Sequence, residues 1–267
     1  MQQAEDFRAE SLALADVLER LDGTFYARET LFKNWTTNDV LGHLHMFNVA
    51  AQCTLRGAAA FNEFFTPIVK SLGSGQTLLQ TQYPWLNGLS GRALFEAWRD
   101  GSQRLADAYA LADPKQRVKW AGPDMTTLSC ISARQMETWA HGQAIFDLLG
   151  IERPEADRVR NIAHLGVRTF EWTFKVRGQP VPDVQPYVRL TGPSGAVWEW
   201  GPVQPDNAIE GSAVEFARVV TQVRNVADTG LKMTGQTSQR WMAIAQCFAG
   251  PREEPPLPGV RYAASAR

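Results

Sequence analysis

Apolar residues recur at three- and four-residue intervals in four separate stretches of residues 1–150, and this period of 3.6 restricts that half of the chain to packed amphipathic helices. The first stretch runs from Ala4 to Leu21, through Phe7, Leu14 and Leu18, and Asp22-Gly23 stops it. The second runs from about Thr37 to Arg56, behind Trp35 and a Thr36-Thr37-Asn38-Asp39 segment. There a threonine can cap the first turn and Asp39 can complement the helix dipole. The third starts at Ser90 and ends at Asp113-Pro114, because proline disfavours helix at the residue before it. The fourth starts at Ser132 and closes at Gly150. Residues 61–89 are mixed. Gly73-Ser74-Gly75 and Tyr83-Pro84-Trp85 signal loops, while Phe64, Phe65, Ile68, Val69 and Leu72 fit either an extension of helix two or a short helix of their own.

After Glu152-Arg153-Pro154-Glu155, which reads as a linker, the pattern changes. A helix over 157–175 precedes a switch to period two at Tyr187–Thr191. Pro193-Ser194-Gly195 turns the chain into a second strand over 196–200, making a hairpin. Helical periodicity returns over 211–223 and 237–248. The tail from Pro251, rich in proline and charge, is expected to be extended or disordered. The reading is a mainly α protein. A four-helix bundle over 1–154 precedes a smaller α+β domain with a short antiparallel sheet over 155–250, and a Pro-rich tail over 251–267.

Composition narrows the function. The 27 basic and 28 acidic side chains give a formal net charge of -1, which provides no field to gather nucleic acid or an anionic membrane surface. No window approaches the roughly 20 apolar residues of a membrane span, and the acidic, amphipathic start lacks the form of a secretory signal. A soluble, cytoplasmic protein with a small-molecule partner is expected. Cys53, Cys130 and Cys247 are widely spaced, without a C-x-x-C arrangement, and read as reduced, buried thiols. A homodimer through the bundle is compatible with this pattern, although no exposed heptad argues for one.

Only four histidines occur, so their placement is informative. Glu137 and His141 are four residues apart, on one face of a helix and one turn from each other, and can grip one ion. Helix two offers His43, between Val40 and Phe47 on the inward stripe. His45 lies roughly 200° round the helix from it and cannot face the same centre. Taken singly these signals are weak. A lone histidine at such a place is more often a satisfied core residue, and an i,i+4 pair is often a surface ion pair. Trp35 and Trp139 flank these residues in sequence. Core packing is the preferred reading for both, with shielding of the site as the alternative. His164 reads as structural.

Trp35, then Asp39-Val40-Leu41-Gly42-His43-Leu44, and later Glu137-Thr138-Trp139-Ala140-His141 with Asp147-Leu148-Leu149-Gly150, resembles the DinB-like metal-binding four-helix bundle. More closely, it resembles the N-terminal domain of mycothiol-dependent maleylpyruvate isomerases. Leu190-Thr191-Gly192-Pro193-Ser194-Gly195, Trp198-Glu199-Trp200-Gly201 and Trp241-Met242-Ala243-Ile244-Ala245-Gln246 resemble the C-terminal domain of a two-domain branch of that group. The resemblance implies that His43, Glu137 and His141 surround a divalent metal with water completing the shell. It also implies that Arg224 occupies the approximate place of a functional arginine, with Arg218 as a weaker alternative.

Two imidazoles, one carboxylate and a vacant position form a donor set suited to catalytic zinc, and nickel or iron could also occupy it. Such a site can activate water or ionise a low-molecular-weight thiol such as mycothiol. The resemblance favours the thiol, hence isomerisation or S-transfer on a small organic acid, with arginine holding a carboxylate. Three other readings stand beside it: a non-catalytic metal- or thiol-binding stress or redox protein, a metal-dependent hydrolase, and a metal-free scaffold.

Overall fold

The computed structural model describes residues 1–261 and divides the chain into two compact units, Met1–Leu148 and the residues from Leu149 onward. In the first unit, four long helices are α1 (Gln2–Leu18), α2 (Thr37–Arg56), α5 (Gly91–Leu111) and α6 (Thr127–Leu149). Their inward stripes meet in a core that includes Phe7, Ala50, Leu105, Tyr109 and Ile131. Burying such side chains contributes about 1.5–3 kcal/mol each.

The start of α2 is fixed by a reciprocal capping box. The Asp39 N–H donates to Thr36 Oγ1 (3.1 Å), and the Thr36 N–H donates to Asp39 Oδ2 (2.8 Å). Tyr83 Oη–H then donates to the other Asp39 oxygen (2.8 Å), anchoring the cap from outside the helix. Residues 61–89, left open by the periodicity, fall mostly in two helices, α3 (Ala58–Gly73) and α4 (Leu78–Leu86). A second capping box, Thr77 with Gln80, starts α4. Close approach of α4 to α2 occurs at Gly42, where a Cβ would stand 2.4 Å from Gln82 Nε2 and 2.8 Å from Leu86 Cδ1.

Helix α6 begins five residues before the expected Ser132. The Ser129 N–H donates to Thr126 Oγ1 (3.1 Å) at the true start, whereas Ser132 Oγ–H donates back to the Leu128 carbonyl (2.8 Å) from inside the helix. A short antiparallel pair, β1 (Arg117–Val118) and β2 (Met125–Thr126), precedes it.

In the second unit the helix expected over 157–175 is broken into α7 (Arg160–Arg168) and α8 (Phe170–Lys175) at Thr169, whose hydroxyl donates to the carbonyls of Leu165 and Gly166. The hairpin is present as β3 (Tyr187–Thr191) and β4 (Val197–Trp200), antiparallel. Two further strands, β5 (Ala208–Ser212) and β6 (Lys232–Thr234), complete a sheet of order β4-β3-β5-β6 in which β3 and β5 run parallel. Gly211 therefore belongs to a strand, and α9 (Ala213–Val220) is shorter than the expected 211–223. Its successor α10 (Gln236–Ile244) ends before Phe248.

The described part of the tail has no regular structure, as expected, but it is held in place. The Glu253 carbonyl accepts from Gln222 Nε2 (3.0 Å) and from Arg177, the Pro256 carbonyl accepts from Asn225 Nδ2 (2.8 Å), and the Gly259 N–H donates to Asp228. The rest of the tail, residues 262–267, lies outside the described residues. Among the described residues no helix is long and apolar enough to cross a membrane.

Candidate metal centre

His43 sits in the second turn of α2 and Glu137 and His141 near the middle of α6, and the fold brings the three side chains to one point. One carboxylate oxygen, Glu137 Oε2, lies 3.1 Å from Nε2 of His43 and 3.1 Å from Nε2 of His141. The three donor atoms all lie within 4.8 Å of one another, and among the described residues no other group of this kind occurs. A tetrahedral zinc with ligand distances near 2.1 Å holds neighbouring donors about 3.4 Å apart, so small side-chain movements suffice to seat an ion. The residues fit the group. Glu137 is not half of a surface ion pair, because it reaches a second histidine on another helix.

The electrostatics favour the ligating forms. Burial, followed by the neighbouring His141 and Arg134, pushes the His43 pKa down to about 4, so that ring is neutral at pH 7. Burial opposes ionisation of Glu137, but hydrogen bonds with His141 and His43 outweigh it and hold the carboxyl well below its ordinary range. The site opens on the carboxylate side: the Glu137 side chain keeps 22% of its exposure, against 9% for His43 and 14% for His141.

Aromatic rings surround the imidazoles. Trp35 lies parallel to His141 (centroids 5.9 Å apart, planes 2° apart) and tilted against His43 (5.6 Å). Phe32 meets His141 edge-on (5.0 Å), and Phe47 packs tilted against His43 (4.7 Å). Trp139 is a core residue, 1% exposed, whereas Trp35 is half-buried beside the two imidazoles. Periodicity did not single out Phe32, which lies in a loop.

Arg134 was also missed, although its place three residues before Glu137 on the same helix was a usable signal. It is fully buried. Its Nε donates to Asn48 Oδ1 (3.0 Å) and Nη2 to the Leu44 carbonyl (3.3 Å), and its guanidinium lies over the Phe47 ring. It thus ties α6 to α2 beside both sets of donors.

His45 faces elsewhere, against Trp85 (5.5 Å). His164 accepts from the Trp200 indole N–H (3.1 Å) in the second unit. Arg224 also belongs to the second unit, four residues beyond the end of α9. It is buried rather than solvated, and its Nη1 donates to the Val223 carbonyl (3.0 Å). Arg218 is only partly buried and pairs with Glu155 (3.4 Å). All three cysteines are buried, and no disulfide joins them.

The sequence profile of the mycothiol maleylpyruvate isomerase N-terminal domain matches residues 7–146, which include every residue of this cluster. The chain belongs to that family. Among the family member's relatives is an uncharacterized protein of Mycobacterium tuberculosis, found in two strains. It is 36% identical over 247 residues, covering 92% of this chain and 95% of the relative. The crystal structure of the mycothiol-dependent maleylpyruvate isomerase aligns over 82% of this chain and 87% of that one, with a TM-score of 0.51 at 16% identity. That likeness concerns the fold and extends beyond the N-terminal domain.

Proposed function

We propose that His43, Glu137 and His141 hold one divalent metal ion, zinc in the first place, with nickel or iron also accommodated. In this reading the protein is an enzyme that uses a low-molecular-weight thiol, such as mycothiol, to isomerise a small unsaturated organic acid, or that joins the intact thiol to it through sulfur, the double bond taking up the thiolate and a proton. The observation that carries the reading is the convergence of two imidazole nitrogens on a single oxygen of a half-buried, ionised carboxylate, in a chain of this family.

When bound, the ion supplies a positive charge that lowers the pKa of a thiol placed against it. The neutral His43 ring presents a lone pair. Glu137 is a donor before it is a general base, since its carboxyl stays ionised. The open Glu137 side leaves room for the thiol. Addition of a thiolate to a conjugated double bond leaves a single bond that can rotate, and elimination returns the thiol with the other isomer. Arg224 is the proposed anchor for a carboxylate of substrate or thiol, since its planar fork matches that group. Cysteines without disulfides and a thiol cofactor fit a cytoplasmic location.

A thermal-shift screen of the metal-loaded protein against mycothiol, glutathione, bacillithiol and cis-dienoic acids tests the thiol reading. One thiol is expected to raise the melting temperature. Stabilisation by none of them contradicts thiol chemistry and turns the site toward hydrolysis or storage.

A further inference from the structure

We infer that Trp35 is a positioning residue for the metal donors: its indole helps fix the ring orientations of His141 and His43, and at His43 it does so in place of the hydrogen bond from the second nitrogen that ordinarily fixes a ligating imidazole. The inference rests on the metal reading above.

A metal-bound histidine almost always donates its remaining ring N–H to a carboxylate, carbonyl or water, which sets both tautomer and ring angle. His43 departs from this. Its Nδ1 is buried, with no hydrogen-bond partner among the described residues. Two aromatic rings instead pack tilted against the imidazole, Phe47 at 4.7 Å and 48°, and Trp35 at 5.6 Å and 60°. The same indole lies parallel to His141 at an offset, and Phe32 meets that imidazole edge-on. One side chain therefore touches both imidazoles, on helices far apart in sequence.

The segment carrying Trp35 is built for that placement. Lys33 and Asn34 have φ values of 52° and 56°, and the Trp35 N–H returns to the Phe32 carbonyl (2.9 Å), the pattern of a two-residue hairpin turn. The Thr30 N–H donates to the Trp35 carbonyl (2.8 Å), and Glu29 bridges Thr36. Such a turn puts Phe32 and Trp35 opposite each other with their side chains on one face. A left-handed conformation costs a non-glycine residue about 1 kcal/mol, and here two in succession adopt it. Trp35 is also followed directly by the Thr36–Asp39 cap, so the hairpin is clamped to the helix that carries His43.

An imidazole without an anionic partner at its second nitrogen is a weaker donor, so an ion at this site stays more electrophilic than one ligated by hydrogen-bonded histidines.

Titration of the metal-free full chain with Co2+, followed by visible absorption, tests this in wild type and in the Trp35→Phe, Trp35→Leu, Phe32→Leu and His141→Ala variants. Trp35→Leu is expected to weaken Co2+ binding about 10–100-fold, the range for loss of an outer positioning contact, and to shift the d–d bands. Trp35→Phe, which keeps an aromatic face, is expected to recover most of the affinity. Phe32→Leu is expected to shift the bands in the same direction and carries the test if Trp35→Leu does not fold. If wild type binds Co2+ and both leucine variants match it in affinity and spectrum, the role assigned to Trp35 is overturned. If wild type binds no more than His141→Ala, it is the metal reading beneath it that fails.

Discussion

Arg134 on α6 donates to the backbone carbonyl of Leu44 on α2 (3.3 Å), one residue beyond His43, while lying three residues before Glu137 on its own helix. A single buried cation thus spans the two helices that supply the donors.

Replacing Arg134 with methionine keeps much of the volume but leaves Asn48 Oδ1 and the Leu44 carbonyl without this donor, and removes a buried charge. Loss of about 2–4 kcal/mol is expected in urea unfolding of the metal-free protein. Arg134→Lys is expected to restore only part of it, because an ammonium cannot span both acceptors as the fork does. A loss below about 1 kcal/mol would show the pair of contacts to be incidental.

Gly42→Ala should destabilise the first unit although alanine is the better helix former. The new Cβ meets the amide of Gln82, which is fully buried and already donates to the Asp39 carbonyl (3.0 Å). Overpacking of this kind costs about 1–3 kcal/mol, more than the roughly 1 kcal/mol gained in propensity. Thermal melting decides the sign.

At Gly235, where φ is 87°, a Cβ would stand 2.3 Å from the Asp206 carbonyl oxygen, and backbone cannot step aside as a side chain can. Gly235→Ala is expected to cost the second unit about 2–4 kcal/mol. Loss of the α10 amides' protection in hydrogen exchange, while α2 keeps its own, would localise the effect.

The pH dependence of the metal-free protein follows from His43 and Glu137. Both have folded pKa values below their unfolded ones, so the unfolded chain binds more protons as pH falls. Stability from His43 is complete above about pH 6.5 and is lost between there and about pH 4, with a slope approaching 1.4 kcal/mol per pH unit. Glu137 adds a loss in the same direction below its ordinary carboxylate range. His43→Gln is expected to flatten the upper part of the curve in urea unfolding at stepped pH. An unchanged slope would contradict the burial assigned to that ring.

Much of this was legible in the chain. The bounds of α2 could be read because Thr36 and Asp39 signal the cap and an apolar stripe follows, and the i,i+4 spacing of Glu137 and His141 put them on one face. The start of α6 was obscured by Ser132, a residue that caps helices but here bonds backward from within one. Residues 61–89 were ambiguous because Phe64, Phe65 and Val69 on α3 remain partly exposed, so their pattern answers to no single core. The hairpin that places Trp35 is hard to read from sequence because its turn, Lys33-Asn34, lacks the glycine that usually marks one. Its contact with His141 spans more than a hundred residues, which no local pattern reports.

The most direct test of the account is metal content. Protein produced without an affinity tag is dialysed against zinc, and bound metal is measured by elemental analysis for wild type and for His43→Ala, Glu137→Ala and His141→Ala. The account predicts one equivalent for wild type and a large loss in each variant. A wild type as metal-free as His141→Ala would contradict it.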